Sequence, residues 1–421
     1  MSNYARSASP ISAAVYCALL ALVVGYGLSY LLTVFGLGIV SAPAGSPRHG
    51  PTVLRHAGLN LYAAQRVTLA GEGVTATASG GGSVRAQVTL PLTVWVLVPV
   101  AAIAFAGFMS ARSRAGRGRA GMIGPAAAGG MLYAVALALL SPHAEARISS
   151  SVLPTVDAVS FNPPDILFSP HAFSTLALGA VFGVVFAYLG ALIAVRGEPF
   201  EEGRGRWWVC GKSSIGAALA MQLLIASALL VWFVHSPVSE QGDGPTICRF
   251  AEMLPTAAGT GYALVHGASL IAGMESAYSG GRPMRPLYAQ VNLYGGVVRQ
   301  DDRETTRRPI SPYVYILSLL AAVAVMVSGR LAVGWGSRDG SLPTGARIAI
   351  VHTAYLAWVV WLCRVGWSGA EAGFARSSVF ILPAFGWWLA ASAASVFVLA
   401  VIGAHWANRS YSGSPAGFHY A

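Results

Sequence analysis

Charge is what this sequence has least of. Only 10% of its 421 residues are Asp, Glu, Lys or Arg, against 55% hydrophobic residues. A soluble protein carries about 25% charged residues, so an ordinary water-soluble domain is excluded. Acid is scarcer than base, at 16 Asp and Glu to 27 Lys and Arg, and no acid falls inside the long apolar runs. Pathways for protons or ions across a membrane are marked by buried ionisable groups. Their near-absence speaks against ion-coupled transport, an argument that a neutral or lipidic substrate escapes. Lysine is almost missing: Lys212 stands alone and every other basic residue is arginine, a bias that points to a GC-rich bacterial genome.

Cysteine is rare as well. Cys17, Cys210, Cys248 and Cys363 form no CxxC pair, which leaves neither a zinc motif nor a disulfide framework. Catalytic signatures are missing too. "HAE" (143–145) has no HExxH around it, and there is no GxSxG. "CGKSS" (210–214) resembles the end of a phosphate loop, but Arg206 stands where the first glycine belongs and no strand precedes it. "GTGYALVHG" (259–267) has Leu264 at the third glycine position of a dinucleotide fingerprint. No catalytic, cofactor-binding or metal residues are therefore assigned. The expected protein is not an enzyme and has no cofactor. The net charge of +11 is read as anchoring at membrane surfaces, not as binding to nucleic acid.

What the sequence has in quantity is long apolar runs, of the roughly twenty residues that span a hydrocarbon core of about 30 Å. Clear runs cover 11–39, 90–110, 122–141, 171–195, 214–235, 310–329, 347–366 and 380–405. They are too long for the alternating strands of an outer-membrane barrel. The expected fold is an all-α polytopic membrane protein with eight spans, nine being the alternative. The ninth candidate, 253–274, carries His266, Tyr262 and several glycines and reads as a helix lying at the interface. The first run has no small-residue cleavage site after it and reads as a retained helix, not a signal peptide.

The order of these runs repeats. "TLPLTVWVLVPVAAIAFAG" (89–107) and "PISPYVYILSLLAAVAVMVSG" (309–329) align at a shift of 220, with Val94, Leu97, Ala101, Ala102 and Ala104 on Val314, Leu317, Ala321, Ala322 and Ala324. Helix, long loop, helix, short polar loop, helix, outer loop, Pro-led helix ending in Arg: this succession occurs twice. It predicts two tandem four-helix units, residues 1–200 with outer loop 40–89 and residues 201–421 with outer loop 236–309.

The basic loop 111–120 fixes the orientation. Arg112, Arg114, Arg117 and Arg119, with Arg196 and Lys212, serve as cytoplasmic anchors, so both termini are cytoplasmic. The outer loops are read as small β-containing segments. "RVTLAGEGVTATASGGGSVRAQVTLPL" and 286–300 alternate Val, Thr or aromatic residues with polar ones between Gly-rich turns. The two outer loops are expected to fold into one cap, with 253–274 beneath it.

Inside the spans, a stripe of small residues, Gly179, Gly183, Ala187 and Ala191, predicts close helix packing. Ala391, Ser395 and Gly403 are its mates. "FSPH" (168–171) and "ILPA" (381–384) each place a proline at a helix start. His352 and Gln222 lie deep in their runs, whereas His49, His56, His143, His171, His235 and His266 fall outside as scattered interfacial residues. The functional expectation is an integral protein of the bacterial inner membrane whose extracytoplasmic cap binds or scaffolds envelope partners. The alternative is a transporter or lipid-handling permease with a groove between the four-helix units. Expected partners are membrane lipids with either an envelope protein or a small neutral or lipidic substrate.

Overall fold

The computed structural model describes residues 9–35, 51–77, 80–90, 93–115, 117–147, 167–195, 202–235, 244–278, 287–293, 295–300, 305–335, 340–371, 375–383 and 386–412. Its helices are α1 (Pro10–Val34), α2 (Pro51–Ala64), α3 (Leu97–Arg112), α4 (Gly118–Leu140), α5 (Ala172–Ala194), α6 (Glu202–Val234), α7 (Gly244–Val265), α8 (Pro312–Gly334), α9 (Ser341–Leu362) and α10 (Trp387–Ser412). Its strands are β1 (Leu69–Thr77), β2 (Gly80–Thr89), β3 (Ala146–Arg147), β4 (Leu167–Pro170), β5 (Leu270–Tyr278), β6 (Leu287–Asn292), β7 (Gly296–Gln300), β8 (Thr305–Arg308), β9 (Val365–Glu371) and β10 (Ala375–Pro383).

Eight helices, all but α2 and α7, are long and apolar enough to cross a membrane. The chain is mostly helical and has the character of a multi-pass membrane protein. Large apolar side chains lie open along these helices, Leu19 and Val23 on α1 and Leu223 and Trp232 on α6 among them. That is the pattern of a lipid-facing surface, because lipid tails are as apolar as leucine.

The helix boundaries correct several expectations. Residues 253–274 are not one helix: α7 stops at Val265, and Leu270 opens β5. The reason is the cap. Gly267 sits at φ 92, and the N–H groups of Gly267 and Ala268 turn back to the carbonyls of Leu264 and Ala263, a Schellman ending that halts a helix. Pro170 and Pro383 do not lie in first helical turns. Each closes a strand, β4 and β10, and helix α10 starts only at Trp387. Proline suits a strand end, where no ladder donor is needed. Helix α2 falls in the expected outer loop 40–89, where the sequence shows no helix.

Contacts divide the chain into two compact units, one holding α1–α5 with β1–β4 and β9, the other holding α6–α10 with β6–β8. In the first unit α1, α3, α4 and α5 pack together. A Cβ on Gly183 would collide with the Gly130 carbonyl, one on Gly107 with the Ala187 carbonyl, and one on Gly190 with the Ala104 carbonyl. Backbones this close need glycine at the crossing, and dispersion gained there holds helices together in lipid. Helix α2 hangs on α1 by polar bonds: Ser29 Oγ donates to the Ala57 carbonyl (2.7 Å) and Tyr26 to the Leu54 carbonyl (2.6 Å). The sheet of this unit runs β3-β4-β1-β2-β9, antiparallel throughout. Leu69 opposes Val88 and Thr77 opposes Gly80 in its β1–β2 hairpin.

In the second unit α6, α8, α9 and α10 pack with α7 set against α6 and α9. Gly329 meets the Ala400 carbonyl and Gly403 the Met326 carbonyl at the α8–α10 crossing. Ala258, Tyr262 and Ala263 of α7 enter a core with Ala218 and Ile225 of α6 and Leu356 of α9. The strands of this unit form the antiparallel order β5-β6-β7-β8.

Candidate functional site

The spans hold few side chains more polar than serine and threonine, so a cluster of them inside the protein stands out. They meet in the second unit. Helix α9 supplies His352, near its middle and 2% exposed, and Tyr355 one turn on. Helix α7 supplies Tyr262, 1% exposed, and His266 just past its last turn. Helix α6 supplies Ser214, which is buried, and Gln222. The spacings explain the convergence, since residues three and four apart share a helix face.

His352 is the hub. Its Nε2 lies 2.8 Å from the Tyr262 hydroxyl and 3.3 Å from His266 Nε2, and its Nδ1 lies 3.3 Å from Ser214 Oγ. His266 Nδ1 donates to the Tyr262 carbonyl at 2.9 Å. With that Nδ1 holding the proton, the Nε2 of neutral His266 is a lone pair aimed at His352. The His266 ring leans on Tyr262, with centroids 4.5 Å apart, and on His352 at 5.2 Å. Beside them the Tyr355 hydroxyl donates to Gln222 Oε1 at 2.9 Å. Burial holds His266 neutral by pushing its pKa down to about 4, opposed in part by its bond to the Tyr262 carbonyl. Burial also pushes the Tyr262 phenol well above its ordinary value, and the neighbouring Tyr355 adds to this. This cluster can pass protons between neutral partners or present nitrogen lone pairs to a cation. Among the described residues no group of three or more His, Cys, Asp or Glu is placed to hold a metal ion.

The sequence saw the parts and missed the meeting. His352 and Gln222 were recognised as deep. His266 reads from the sequence as one of the scattered interfacial histidines, whereas the structure sets its ring 3.3 Å from His352 of α9. The missed signal is Tyr262 with His266, four apart, and His352 with Tyr355, three apart. Both are pairs of polar groups on one face of an otherwise apolar stretch. The "CGKSS" stretch is helix, not phosphate loop, and contributes Ser214 to the hub.

The small-residue stripe lies at helix crossings. A Cβ on Gly179 would lie 3.3 Å from Ala134 of α4, Gly183 faces Gly130, and Ala187 and Ala191 are fully buried. On α10 the stripe is displaced: Ala391 and Ser395 are exposed, and Ser392, Val396, Ala400, Gly403 and Ala404 face inward. Among the anchors, Arg112 and Arg117 are exposed, and Arg112 sits over the Phe108 ring at 5.8 Å. Arg114 is buried, its Nε donating to the Gly121 carbonyl at 2.6 Å. Arg119 reaches the Val195 carbonyl at 3.4 Å, and exposed Lys212 lies 4.7 Å from the Trp335 ring. Arg196 and His49 lie outside the described residues, as does most of the outer loop 142–170.

No family model, curated protein or solved structure matches this chain.

Proposed function

We propose that this is a non-enzymatic integral protein of a bacterial inner membrane, whose extracytoplasmic strands bind or scaffold a partner of the cell envelope. The observation that carries this reading is β8. It ends the run β5-β6-β7-β8, and all four of its residues, Thr305, Thr306, Arg307 and Arg308, are exposed. A strand with an open edge is a template for an added strand. Two arginines keep the edge soluble and bias its partner toward acidic chemistry.

The eight spans place β8 outside the cell when both termini are cytoplasmic. Cation–aromatic pairs support that orientation. Lys212 with Trp335, Arg330 with Trp406 and Arg347 with Trp207 all sit at the α6-start, α8-end, α9-start and α10-end side. Basic residues mark the cytoplasmic face, and tryptophans the boundary.

The two units are read as copies of one four-helix module. Each runs span, non-spanning helix, antiparallel strands, span, span, two strands, span, with two strands after the non-spanning helix in the first copy and four in the second. Gly107 against Ala187 has its counterpart in Gly329 against Ala400, which sets the shift for this helix at 222 in place of 220. Arg66 at φ 64 and Gly267 at φ 92 occupy the same place in two matching Schellman caps.

A photo-crosslinking residue at Thr306 in producing cells tests the scaffold reading. A discrete adduct with an envelope protein, lost on Arg307→Glu with Arg308→Glu, is the expected result. No adduct at Thr306, or an equal one from Arg117, sinks it. A permease for a neutral solute is the second reading, favoured by the polar cluster around His352. Solute uptake into vesicles that falls with His352→Gln would put it first.

A further inference from the structure

The hydrogen-bond inventory around His352 does not close. His266 Nδ1 donates to the Tyr262 carbonyl, so its Nε2 needs a donor. If the Tyr262 hydroxyl donates to His352 Nε2 at 2.8 Å, then His266 Nε2 faces a second lone pair at 3.3 Å. If instead His352 carries its proton on Nε2, that proton is shared by His266 and the Tyr262 oxygen, and the buried phenol has no further acceptor for its own among the described residues. Neither neutral tautomer satisfies the three atoms at once, and an unmet polar group inside a protein is costly. A cation among the three satisfies them all.

We propose that His266 and His352, with Tyr262 as third donor, bind one divalent first-row transition-metal ion of the zinc type. Imidazole nitrogens suit these ions. Two nitrogens on a tetrahedral zinc with bonds of about 2.0–2.1 Å lie about 3.3–3.4 Å apart, and His266 and His352 stand at 3.3 Å; the Tyr262 oxygen, 2.8 Å from His352 Nε2, must move outward by about 0.4 Å to become the third donor. The outer shell is also built. Metal-bound imidazoles donate their other N–H to a carbonyl or similar acceptor, which fixes the tautomer. Here His266 Nδ1 is held by the Tyr262 carbonyl and His352 Nδ1 by Ser214. His266 is only partly covered, which leaves an ion a way in.

Packing alone does not require the imidazoles. In the first unit the corresponding helices join through Gln65 Nε2 and the Tyr133 hydroxyl at 3.0 Å, and Gly130 stands where the second unit has His352. The groups facing the cluster are Ser214 and Gln222 on α6, Tyr262 and His266 on α7, and Tyr355 on α9. None of these is a carboxylate. Binding therefore breaks the Tyr262 O–H bond, forms an oxygen–metal bond and passes the proton to solvent, leaving a single net positive charge to be buried.

The test uses the full chain in detergent, affinity tag removed and chelator-treated, then dialysed against Zn²⁺ or Co²⁺. One ion per chain is expected, with visible Co²⁺ bands of tetrahedral form. His266→Gln and His352→Gln lose it, Ser214→Ala weakens affinity about 10–100-fold, and exposed His235→Gln changes nothing. A wild-type protein that takes up no ion, its imidazole pair bridged by a proton alone, overturns the proposal. So does unchanged binding in either histidine variant. If both histidine variants fail to fold, Tyr262→Phe and Ser214→Ala decide: unchanged affinity in both overturns it.

Discussion

His266 carries a testable acid sensitivity. Folded, its pKa is held at about 4 by burial, against 6.5 for the free side chain. Between those values the unfolded chain binds a proton that the folded chain refuses. Stability therefore rises with pH across this window and is lost as pH falls from about 6.5 toward 4. Thermal unfolding of the metal-free protein at stepped pH should show this slope, and His266→Gln should reduce it. An equal slope in the variant would assign it to another group. Arg66 offers a second prediction. It is a buried non-glycine residue at φ 64, and its guanidinium donates to the Leu90 carbonyl. Arg66→Ala loses that bond and keeps the left-handed strain, costing about 1–3 kcal/mol. Arg66→Gly should cost less, because glycine takes this conformation freely. Gly267→Ala should cost about 1–2 kcal/mol for the strain alone. Unfolding temperatures of the three variants check the order.

Among the elements, the crossing of α4 and α5 is a demanding one. Gly130 and Gly183 face each other backbone to backbone, and neither tolerates a Cβ without a shift of the chain. Gly183→Leu forces the helices apart and should destabilise by about 1–3 kcal/mol, with a lower yield of folded protein. Gly124, whose Cβ position meets nothing within 4 Å, provides the control: Gly124→Ala should leave the unfolding temperature unchanged or raise it, since alanine favours a helix. A Gly183→Leu protein as stable as its parent would mean that the two helices are free to separate. The stripe on α5 could be read from sequence because small residues recur at helical spacing. Its mate on α10 was read one residue off. Ser395 and Ala391 are as small as their neighbours, and only the facing helix shows that Ser392 and Val396 point inward.

At the scale of the whole molecule the sharpest prediction is sidedness. Single cysteines at exposed Arg85 on β2 and Thr306 on β8, in a background without native cysteine, should react with an impermeant thiol reagent added to whole cells. One at Arg117 should react only after lysis. Labelling of Thr306 and Arg117 alike would overturn the topology with eight spans and both termini inside. The native thiols at Cys17, Cys210 and Cys363 are buried and in no disulfide, so replacing them, together with Cys248, by alanine or serine is the gentlest way to that background.

The sequence alone determined the class of this protein and most of its elements. Membrane-length apolar runs survive any arrangement of the helices, because the bilayer sets their length before packing begins. The Val/Thr alternation between Gly clusters announced the β1–β2 hairpin for a similarly local reason, strand period and turn chemistry being written residue by residue. Helix α2 escaped because its apolar positions serve a buried site beside α1, and 14 residues of mixed polarity look like loop. Strand β9 escaped because its partner β2 lies far away in the chain, and pairing at that distance leaves no local mark. The cluster of Ser214, Tyr262, His266 and His352 belongs to the tertiary structure entirely. Three helices contribute to it, and no spacing in the sequence connects them. What brings His266 to His352 is the place where α7 ends, and a helix cap at Gly267 decides that only once Ala263 and Leu264 are packed.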